Sequence, residues 1–239
     1  MLKYHKSNSV TFTKTNESFG GFSNMCSGFP ITNGVVEFPT SEHLYQICKF
    51  GDHPQIQREL LKEKNPMVMK NKTKKYKGFV RKDWEDIKVD VMKWVLKGKF
   101  VSNFIKFGNL LTETGGKPIV EVSKRDDFWG TKEINGVFEG ENTLGIELMR
   151  LRSKIWTNSP SLKEWEVEGT LKLKIFGEWM ERVSVDPKIY ELGLRSFTFL
   201  MKKHKTGVFT PEGENRVSPE MASLEESEGT ELTETLLAA

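Results

Sequence analysis

Pro39 to Phe50 reads P-T-S-E-H-L-Y-Q-I-C-K-F, and this stretch decides how the rest of the chain is interpreted. A helical period of about 3.6 residues divides it into two faces. One face carries Leu44, Ile47 and Cys48, and the opposite face carries Glu42, Tyr45, Gln46 and Lys49. Charges opposite an apolar face are typical of any surface helix. Glu42 differs because a carboxylate in the first turn meets the positive end of the helix dipole, so it is a candidate catalytic residue.

Residue type also predicts the ends of this helix. Thr40 or Ser41 can accept a backbone N–H bond and cap the start, and Gly51 can end the helix with a positive φ. His43 lies beside Glu42, but the four histidines of the chain show no metal-ligand spacing. We therefore predict no metal site and interpret His43 as structural.

Other segments cluster carboxylates, aromatic residues and glycines. Ser123–Gly130 reads S-K-R-D-D-F-W-G, and Gly140–Gly145 reads G-E-N-T-L-G and opens an amphipathic run. Arg81–Glu85 reads R-K-D-W-E, where the aspartate can cap a helix. Together with F-S-N at Phe22–Asn24 and N-P-M at Asn65–Met67, these segments, in this order, resemble the NADAR family of YbiA-like N-glycosidases over roughly residues 15 to 155.

The resemblance implies a fold that is mainly α. We expect a YbiA-like helical N-glycosidase (NADAR) domain with a few short strands at residues 1–157, an apolar C-terminal extension that docks on it at 158–205, and an acidic, disordered tail at 206–239. The hydrophobic pattern predicts helices near 41–50, 54–64, 83–98, 102–111 and 142–155, and strands near 9–13, 30–38 and 118–122. In the extension, alternation after Leu171 favours a strand and Gly177 to Val183 fits a helix. A dimer interface or a partner-binding segment are the alternatives to docking.

The resemblance also implies an activity. Proteins of this family hydrolyse C–N glycosidic bonds between ribose and a nitrogen heterocycle without a cofactor. Two substrates follow from it: a phosphorylated ribosylamino-pyrimidine of riboflavin biosynthesis, or ADP-ribosyl-guanine in nucleic acid, whose removal reverses ADP-ribosylation. The expected partners are therefore a phosphorylated ribosyl or ADP-ribosyl substrate, or nucleic acid that carries the modification. A non-catalytic module that binds ADP-ribose or nucleotides is the alternative.

Glu42 and Asp126 match the acidic residues of the family's S-E-H and D-x-F-W-G segments, and we predict them as the catalytic pair. Glycoside hydrolysis generally uses two carboxyl groups, one as acid and the other to stabilise the oxocarbenium-like centre or to activate water. The sequence does not assign these roles between the two, and Asp127 has no reliable counterpart in the family. Asp126 has a structural alternative, because aspartate commonly caps turns.

The predicted substrate-binding residues supply amides, cations, aromatic rings and close backbone approach. They are Asn24, Gln46, Lys49, Arg81, Trp84, Trp129, Gly130 and Asn142. A tryptophan can stack on a flat heterocycle, although core packing is the more common role for this residue. Lys49 and Arg81 suit a phosphate, and so does the helix N-terminus around Gly140 to Asn142. Glu141 stands where many relatives have a basic residue, so the substrate differs or another cation substitutes, for which the lysines between Lys70 and Lys77 are candidates.

Charge is distributed unevenly along the 239 residues. The stretch from Pro211 onward holds eight glutamates and one arginine, whereas the whole chain has a net charge of +3, so residues 1–210 carry +10. This basic part suits nucleic acid and phosphorylated small molecules equally well. The N-terminus M-L-K-Y-H-K-S lacks the apolar region of a signal peptide, no stretch is apolar enough for a membrane helix, and the two cysteines lack disulfide or metal spacing. We therefore expect a cytoplasmic protein of unassigned oligomeric state.

Overall fold

The computed structural model describes residues 2–167, 171–180, 182–204, 208–209 and 215–216. Within these residues the fold is mainly α, as predicted. The helices are α1 (Ser41–Ile47), α2 (Pro54–Leu61), α3 (Pro66–Lys72), α4 (Trp84–Ser102), α5 (Phe104–Glu113), α6 (Thr143–Trp156) and α7 (Pro187–His204). Short 3-10 helices lie at Lys6–Asn8, Gly20–Phe22, Cys48–Phe50, Thr73–Phe79 and Pro160–Lys163.

Helix α1 lies at the centre of the domain. Thr40 caps it by accepting a hydrogen bond from the backbone N–H of His43, as predicted. The alternative of an ordinary surface helix is wrong, because all seven residues from Ser41 to Ile47 are buried beneath the surrounding helices. The expected positive φ at Gly51 is also wrong: φ is −56°, since a 3-10 turn continues the helical path through Phe50.

The other predicted helices form with shifted ends, and α3 was not predicted. Asn65 caps α3 through its side-chain oxygen, and Pro66 occupies the first turn, where a missing N–H is not a cost. Helix α4 begins after Asp83, but that side chain makes no capping bond. Asp83 pairs with Arg81 instead, so a charge-assisted bond replaces the expected cap.

The strands are short and peripheral. They are β1 (Leu2–His5), β2 (Val10–Phe12), β3 (Ile31–Thr32), β4 (Glu37–Phe38), β5 (Ile119–Glu121), β6 (Lys132–Ile134), β7 (Val137–Gly140), β8 (Glu164–Trp165), β9 (Lys174–Ile175), β10 (Glu178–Trp179), β11 (Val183–Ser184), β12 (Val208–Phe209) and β13 (Asn215–Arg216). Strands β1, β7 and β6 form an antiparallel sheet, and β2 pairs with β5 in parallel, Val10 opposite Ile119. The remaining strands form antiparallel pairs: β3 with β4, β8 with β11, β9 with β10 and β12 with β13.

The C-terminal extension packs on the helical domain. Helix α7 lies against α5, where the ring of Phe197 sits over Gly108 at a distance that excludes any larger residue. Strands β9 and β10 form a hairpin, so the strand expected after Leu171 is confirmed and the helix considered for Gly177 to Val183 is wrong. Phe176 and Gly177 both have positive φ, which turns the chain between the two strands.

Three further sequence-based expectations concern a membrane helix, the acidic tail and the cysteines. Among the described residues, no helix is long and apolar enough to cross a membrane. Most of the predicted acidic tail, residues 206–239, lies outside the described residues. Cys26 and Cys48 are free and buried, and burial raises the pKa of the Cys48 thiol to about 12.

Candidate active site

Glu42 is a buried carboxylate with two polar partners. Its residue is only 4 % exposed, and its Oε1 accepts a hydrogen bond of 2.8 Å from Nε2 of Gln46, one helical turn later. Lys70 Nζ, from α3, lies 3.5 Å from the same oxygen. The backbone N–H of Glu42 donates to the carbonyl of Asn24, which ties the F-S-N segment to the start of α1. The helix therefore presents Glu42 to a neighbourhood shared by three chain segments.

Several polar atoms near this carboxylate are buried without a hydrogen-bond partner in the described structure. They are Asn24 Oδ1, Ser41 Oγ and Gln46 Oε1. The amide of Asn24 also has its Nδ2 3.3 Å from the sulfur of Met92, a weak acceptor. Buried polar atoms are normally satisfied because leaving them unpaired costs about 1–3 kcal/mol each. Their concentration around Glu42 fits a surface that hydrogen-bonds a polar ligand.

Tyr45 lies between the two predicted tryptophans. Its ring centroid is 5.0 Å from that of Trp84 and 5.8 Å from that of Trp129, with interplanar angles of 62° and 83°. Trp84 is 6 % exposed and belongs to the hydrophobic core, whereas Trp129 is half-buried. Both rings pack edge to face on Tyr45, so exposure separates them: burial supports a packing role for Trp84, and the half-buried Trp129 is the better placed of the two to stack on a ligand.

Lys49 lies over these rings, and Arg81 is engaged elsewhere. Lys49 Nζ is 5.2 Å from the Trp84 centroid, and its pKa is lowered, first by burial, although Glu42 opposes the effect. Arg81 forms a two-point ion pair with Asp83, with N···O distances of 2.6 and 2.8 Å, and donates to the Lys172 carbonyl at 2.7 Å. Lys49 is therefore the freer of the two predicted cations to meet a phosphate.

The lysine-rich segment divides among different partners. Lys70 reaches Glu42, whereas Lys72 pairs with Glu63 at 2.6 Å and Lys75 pairs with Glu59. Of these three lysines, Lys70 is the one whose charge acts at the candidate site.

Asp126 shapes the loop that carries Trp129. Its Oδ1 accepts hydrogen bonds from the backbone N–H groups of Phe128 and Trp129, at 3.1 and 2.9 Å. This is the turn-capping alternative considered for Asp126, and the charge of this carboxylate also acts on Glu121. Asp127 points away and forms a surface ion pair of 2.6 Å with Lys132.

The N-terminus of α6 does not provide the predicted phosphate site. The backbone N–H groups of Glu141, Asn142, Thr143 and Leu144 donate to the carbonyls of Asp127, Gly130, Phe128 and Trp129, respectively. These donors are thus consumed by the loop beside them, and the expectation of an anion site there is wrong.

Asn142 and Gly130 build this junction. Asn142 is fully buried with φ of 52°, and its side chain accepts from the Glu121 N–H at 3.1 Å and donates to the Ile119 carbonyl at 2.9 Å. A Cβ on Gly130 would lie 2.9 Å from the Glu121 carbonyl oxygen. Both residues fix the Asp126 loop against β5, so any effect on substrate acts through that loop.

Glu121 is the site residue that the sequence did not reveal. Its pKa is raised to about 7, first by burial and then by the charges of Asp126 and Glu42, while Lys70 lowers it. Three carboxyl groups and one cation therefore share one electrostatic neighbourhood. In the sequence, Glu121 is a single acidic residue at the end of the apolar strand Ile119–Glu121. The alternation of residue types alone does not distinguish such an acid from an ordinary strand-end residue.

His43 has both ring nitrogens occupied. Nδ1 lies 2.8 Å from Thr40 Oγ1 and Nε2 lies 2.9 Å from the Glu63 carbonyl, and burial lowers the pKa of the ring. These contacts support the structural interpretation of His43. Among the described residues, no group of three or more His, Cys, Asp or Glu side chains is arranged to hold a metal.

Comparison with known proteins identifies relatives of this chain. The family model described as "NADAR domain" matches residues 11–156. "N-glycosidase YbiA" of Escherichia coli is 33% identical over 146 residues, which are 61% of this chain and 88% of that protein. The solution structure of the E. coli protein has a TM-score of 0.55 at 32% identity, and the match covers 63% of this chain and 87% of that one.

Two larger relatives match over only part of their length. "Riboflavin biosynthesis protein PYRR, chloroplastic" of Zea mays is 38% identical over 173 residues, 67% of this chain and 27% of that protein. "Riboflavin biosynthesis protein VVA0006" of Vibrio vulnificus is 32% identical over 153 residues, 63% of this chain and 40% of that protein. This chain thus corresponds to less than half of each, and its residues after 156 lie outside the family model.

Proposed function

This chain belongs to the NADAR family and is a hydrolase of the N-glycosidase type, and from that premise we propose that it cleaves the ribose–nitrogen bond of a phosphorylated ribosylamino-pyrimidine of riboflavin biosynthesis. The observation that carries the proposal is the buried Glu42, paired with Gln46 and Lys70 beside a half-buried tryptophan. The names of the maize and Vibrio relatives support the choice of substrate. Because both cysteines are buried and free, a cytoplasmic location is part of the proposal.

We assign the two carboxyl roles to Glu42 and Glu121. A carboxyl group with a pKa of about 7 is about half protonated at pH 7, so Glu121 can give its proton to the departing nitrogen as the C1′–N bond breaks. Glu42, held by Gln46 and Lys70, faces the positive charge that develops on the ribose and takes a proton from the attacking water. The water oxygen becomes the new substituent on C1′, and the heterocycle leaves as a neutral amine.

Asp126 has two roles in this scheme. Its bonded oxygen positions the Trp129 loop, and its charge helps to keep Glu121 protonated. The prediction that Asp126 itself completes the catalytic pair remains an alternative, because its carboxylate is close enough for its charge to act on Glu121. Replacing each acid by its amide distinguishes the two assignments, because the larger loss of kcat identifies the proton donor.

The remaining residues bind the substrate. We propose that Trp129 stacks on the pyrimidine and that the unpartnered oxygens of Asn24 and Gln46 accept its amino or hydroxyl hydrogens. Lys49 and Lys70 meet the phosphate.

ADP-ribosyl-guanine in nucleic acid is the second candidate substrate. It is favoured by the net charge of +10 on residues 1–210, which exceeds what a single phosphate ester requires. A binding module without turnover is the alternative to both, and it would explain a site that has exchanged the family's basic residue for Glu141.

A product assay on both substrates tests the proposal. The assay compares three proteins on the ribosylamino-pyrimidine phosphate and on DNA bearing ADP-ribosyl-guanine. They are wild type, Glu42→Gln and the control Glu139→Gln, which alters a surface residue that pairs with Lys3. Release of ribose 5-phosphate that is lost only in Glu42→Gln supports the proposal. Release of ADP-ribose alone selects the second substrate, and tight binding with no release from either would establish the non-catalytic alternative.

A second pair of variants separates the carboxyl assignments. Glu121→Gln removes the proposed proton donor and should reduce kcat at least a hundredfold, the usual contribution of a general acid. Asp126→Asn keeps an oxygen to accept the two loop N–H groups and should reduce kcat far less. The reverse order would return the acid role to Asp126.

A further inference from the structure

A second groove lies beside the candidate active site. It has a volume of about 630 Å³ and runs between the segment from Gly78 to Asp83 and the hairpin of the C-terminal extension. Five lysine or arginine residues and two aspartates line it. Lys49 belongs to both places: it lines the groove, and it lies seven residues, two helical turns, after Glu42. The groove and the candidate active site therefore share Lys49.

The extension is fixed where it forms one wall of the groove. Gln57 is fully buried, and its Nε2 donates to the carbonyls of Ile47 at 3.0 Å and Lys174 at 2.9 Å, while its Oε1 accepts from the Phe176 N–H at 2.6 Å. Arg81 adds its bond to the Lys172 carbonyl. This wall lies outside the matched family segment, so the groove is a feature of this chain's own extension.

Two large aromatic side chains lie exposed in the groove. Phe79 is 51 % exposed and Trp179 is 57 % exposed. Phe79 is supported by an edge-to-face contact with His53, with ring centroids 5.1 Å apart, and Lys174 Nζ lies 4.8 Å from the Trp179 ring. Exposed aromatic faces among cations are what a nucleic-acid strand requires, because bases stack on the rings while phosphates meet the lysines.

We propose that this groove binds single-stranded nucleic acid and leads the strand to Lys49 at the edge of the active site. The excess of cations over carboxylates provides charge complementarity, and two exposed rings give platforms for successive bases. Arg81 is largely engaged by Asp83. Lys174 Nζ lies 3.6 Å from the exposed carboxylate of Asp52, an ion pair that solvent screens, so Lys174 can join Lys82 and Lys172 in meeting phosphates. The proposal does not depend on hydrolysis, because binding of an unmodified strand needs no turnover.

Fluorescence anisotropy with a labelled oligothymidylate of about ten nucleotides tests the groove. Phe79→Ala and Trp179→Ala should each weaken binding about tenfold, and Trp179→Phe should restore most of the loss, because it keeps a stacking face. The double variant Lys172→Ala with Lys174→Ala should make the logarithmic salt dependence shallower by about 1.4, or 0.7 for each phosphate contact removed.

Two controls make the outcome decisive. Phe199→Ala removes an equally exposed ring on α7, outside the groove, and should leave the affinity unchanged. Lys72→Ala with Lys75→Ala alters the lysine-rich surface on α3 and the 3-10 helix that follows it, the other basic surface that could bind a strand. Loss of affinity in that variant but not in the groove variants would overturn the proposal, as would failure of wild type to bind the strand at low salt. Since all altered side chains are at least partly exposed, unchanged thermal melts are expected and are measured alongside.

Discussion

Replacing Lys70 with methionine tests the electrostatic arrangement of the active site. Lys70 Nζ lies 3.5 Å from Glu42 and lowers the pKa of Glu121, which burial and two neighbouring carboxylates raise to about 7. If Glu121 must be protonated to act as the acid, activity falls as pH rises through that value. Removing the cation destabilises the ionised form of Glu121, so its pKa rises and the alkaline limb of the pH profile moves to higher pH.

The size of this shift follows from the exposure of the lysine. Its side chain is 47% exposed, so solvent screens its charge, and an ion pair of this kind is worth about 0.2–1 kcal/mol. One pKa unit corresponds to about 1.4 kcal/mol, so the alkaline limb should move up by about 0.1–0.7 pH unit. A purely structural defect would lower the rate at every pH without moving the limb.

The assay is kcat/KM against pH for wild type, Lys70→Met and Lys72→Met. Lys72 lies on the same helix but pairs with Glu63, so its removal should leave the profile in place. Because Lys70 is also proposed to meet the substrate phosphate, kcat at saturating substrate is measured against pH as well, since it reports ionisations in the enzyme–substrate complex and separates the Glu121 limb from phosphate binding. A downward movement of the alkaline limb in Lys70→Met, or no limb near pH 7 in wild type, would refute the role of Glu121 as acid.

Four other variants probe the neighbouring structure. Trp129→Ala should weaken ligand binding by about 1–3 kcal/mol, measured by calorimetry, with little change in stability. Trp84→Ala should instead lower the free energy of unfolding by about 3–5 kcal/mol in urea titrations. Equal losses of affinity in the two variants would contradict a stacking role for Trp129 and a packing role for Trp84. Burial lowers the pKa of Lys99 to about 7, so between about pH 7 and pH 10 the unfolded chain carries a proton on this amine that the folded chain lacks. The stability of the wild type therefore rises with pH across this range. Relative to Lys99→Met, its free energy of unfolding should increase by about 2–3 kcal/mol between about pH 6 and pH 9, measured in parallel denaturant titrations. Gly145→Ala should fail to fold at ordinary temperature, seen by loss of near-ultraviolet dichroism, because a Cβ there would lie 2.2 Å from the Ile119 carbonyl oxygen.

Local signals in the sequence predicted α1 well, and non-local packing explains what they missed. The Thr40 cap and the spacing of Glu42 and Gln46 depend on neighbours within one helical turn, so the sequence contains them. Burial of both faces of α1 depends on helices far along the chain, so the sequence alone could not exclude an ordinary surface helix. Glu121 was missed for the same reason: its raised pKa arises first from burial and then from Asp126 and Glu42, and only the folded chain supplies these.

The start of α6 shows how a correct local rule can lead to a wrong functional prediction. A helix N-terminus does attract acceptors, but here the carbonyls of the Asp127–Gly130 segment take the four N–H groups. The helix dipole therefore orients the loop that carries Trp129, and the substrate phosphate must be met by side chains. Glu141 contributes its N–H to that loop and leaves its carboxylate exposed, so this position offers no positive charge to the phosphate of the proposed substrate. Lys49 and Lys70, brought to Glu42 from two helical segments, can supply that charge without using the helix terminus.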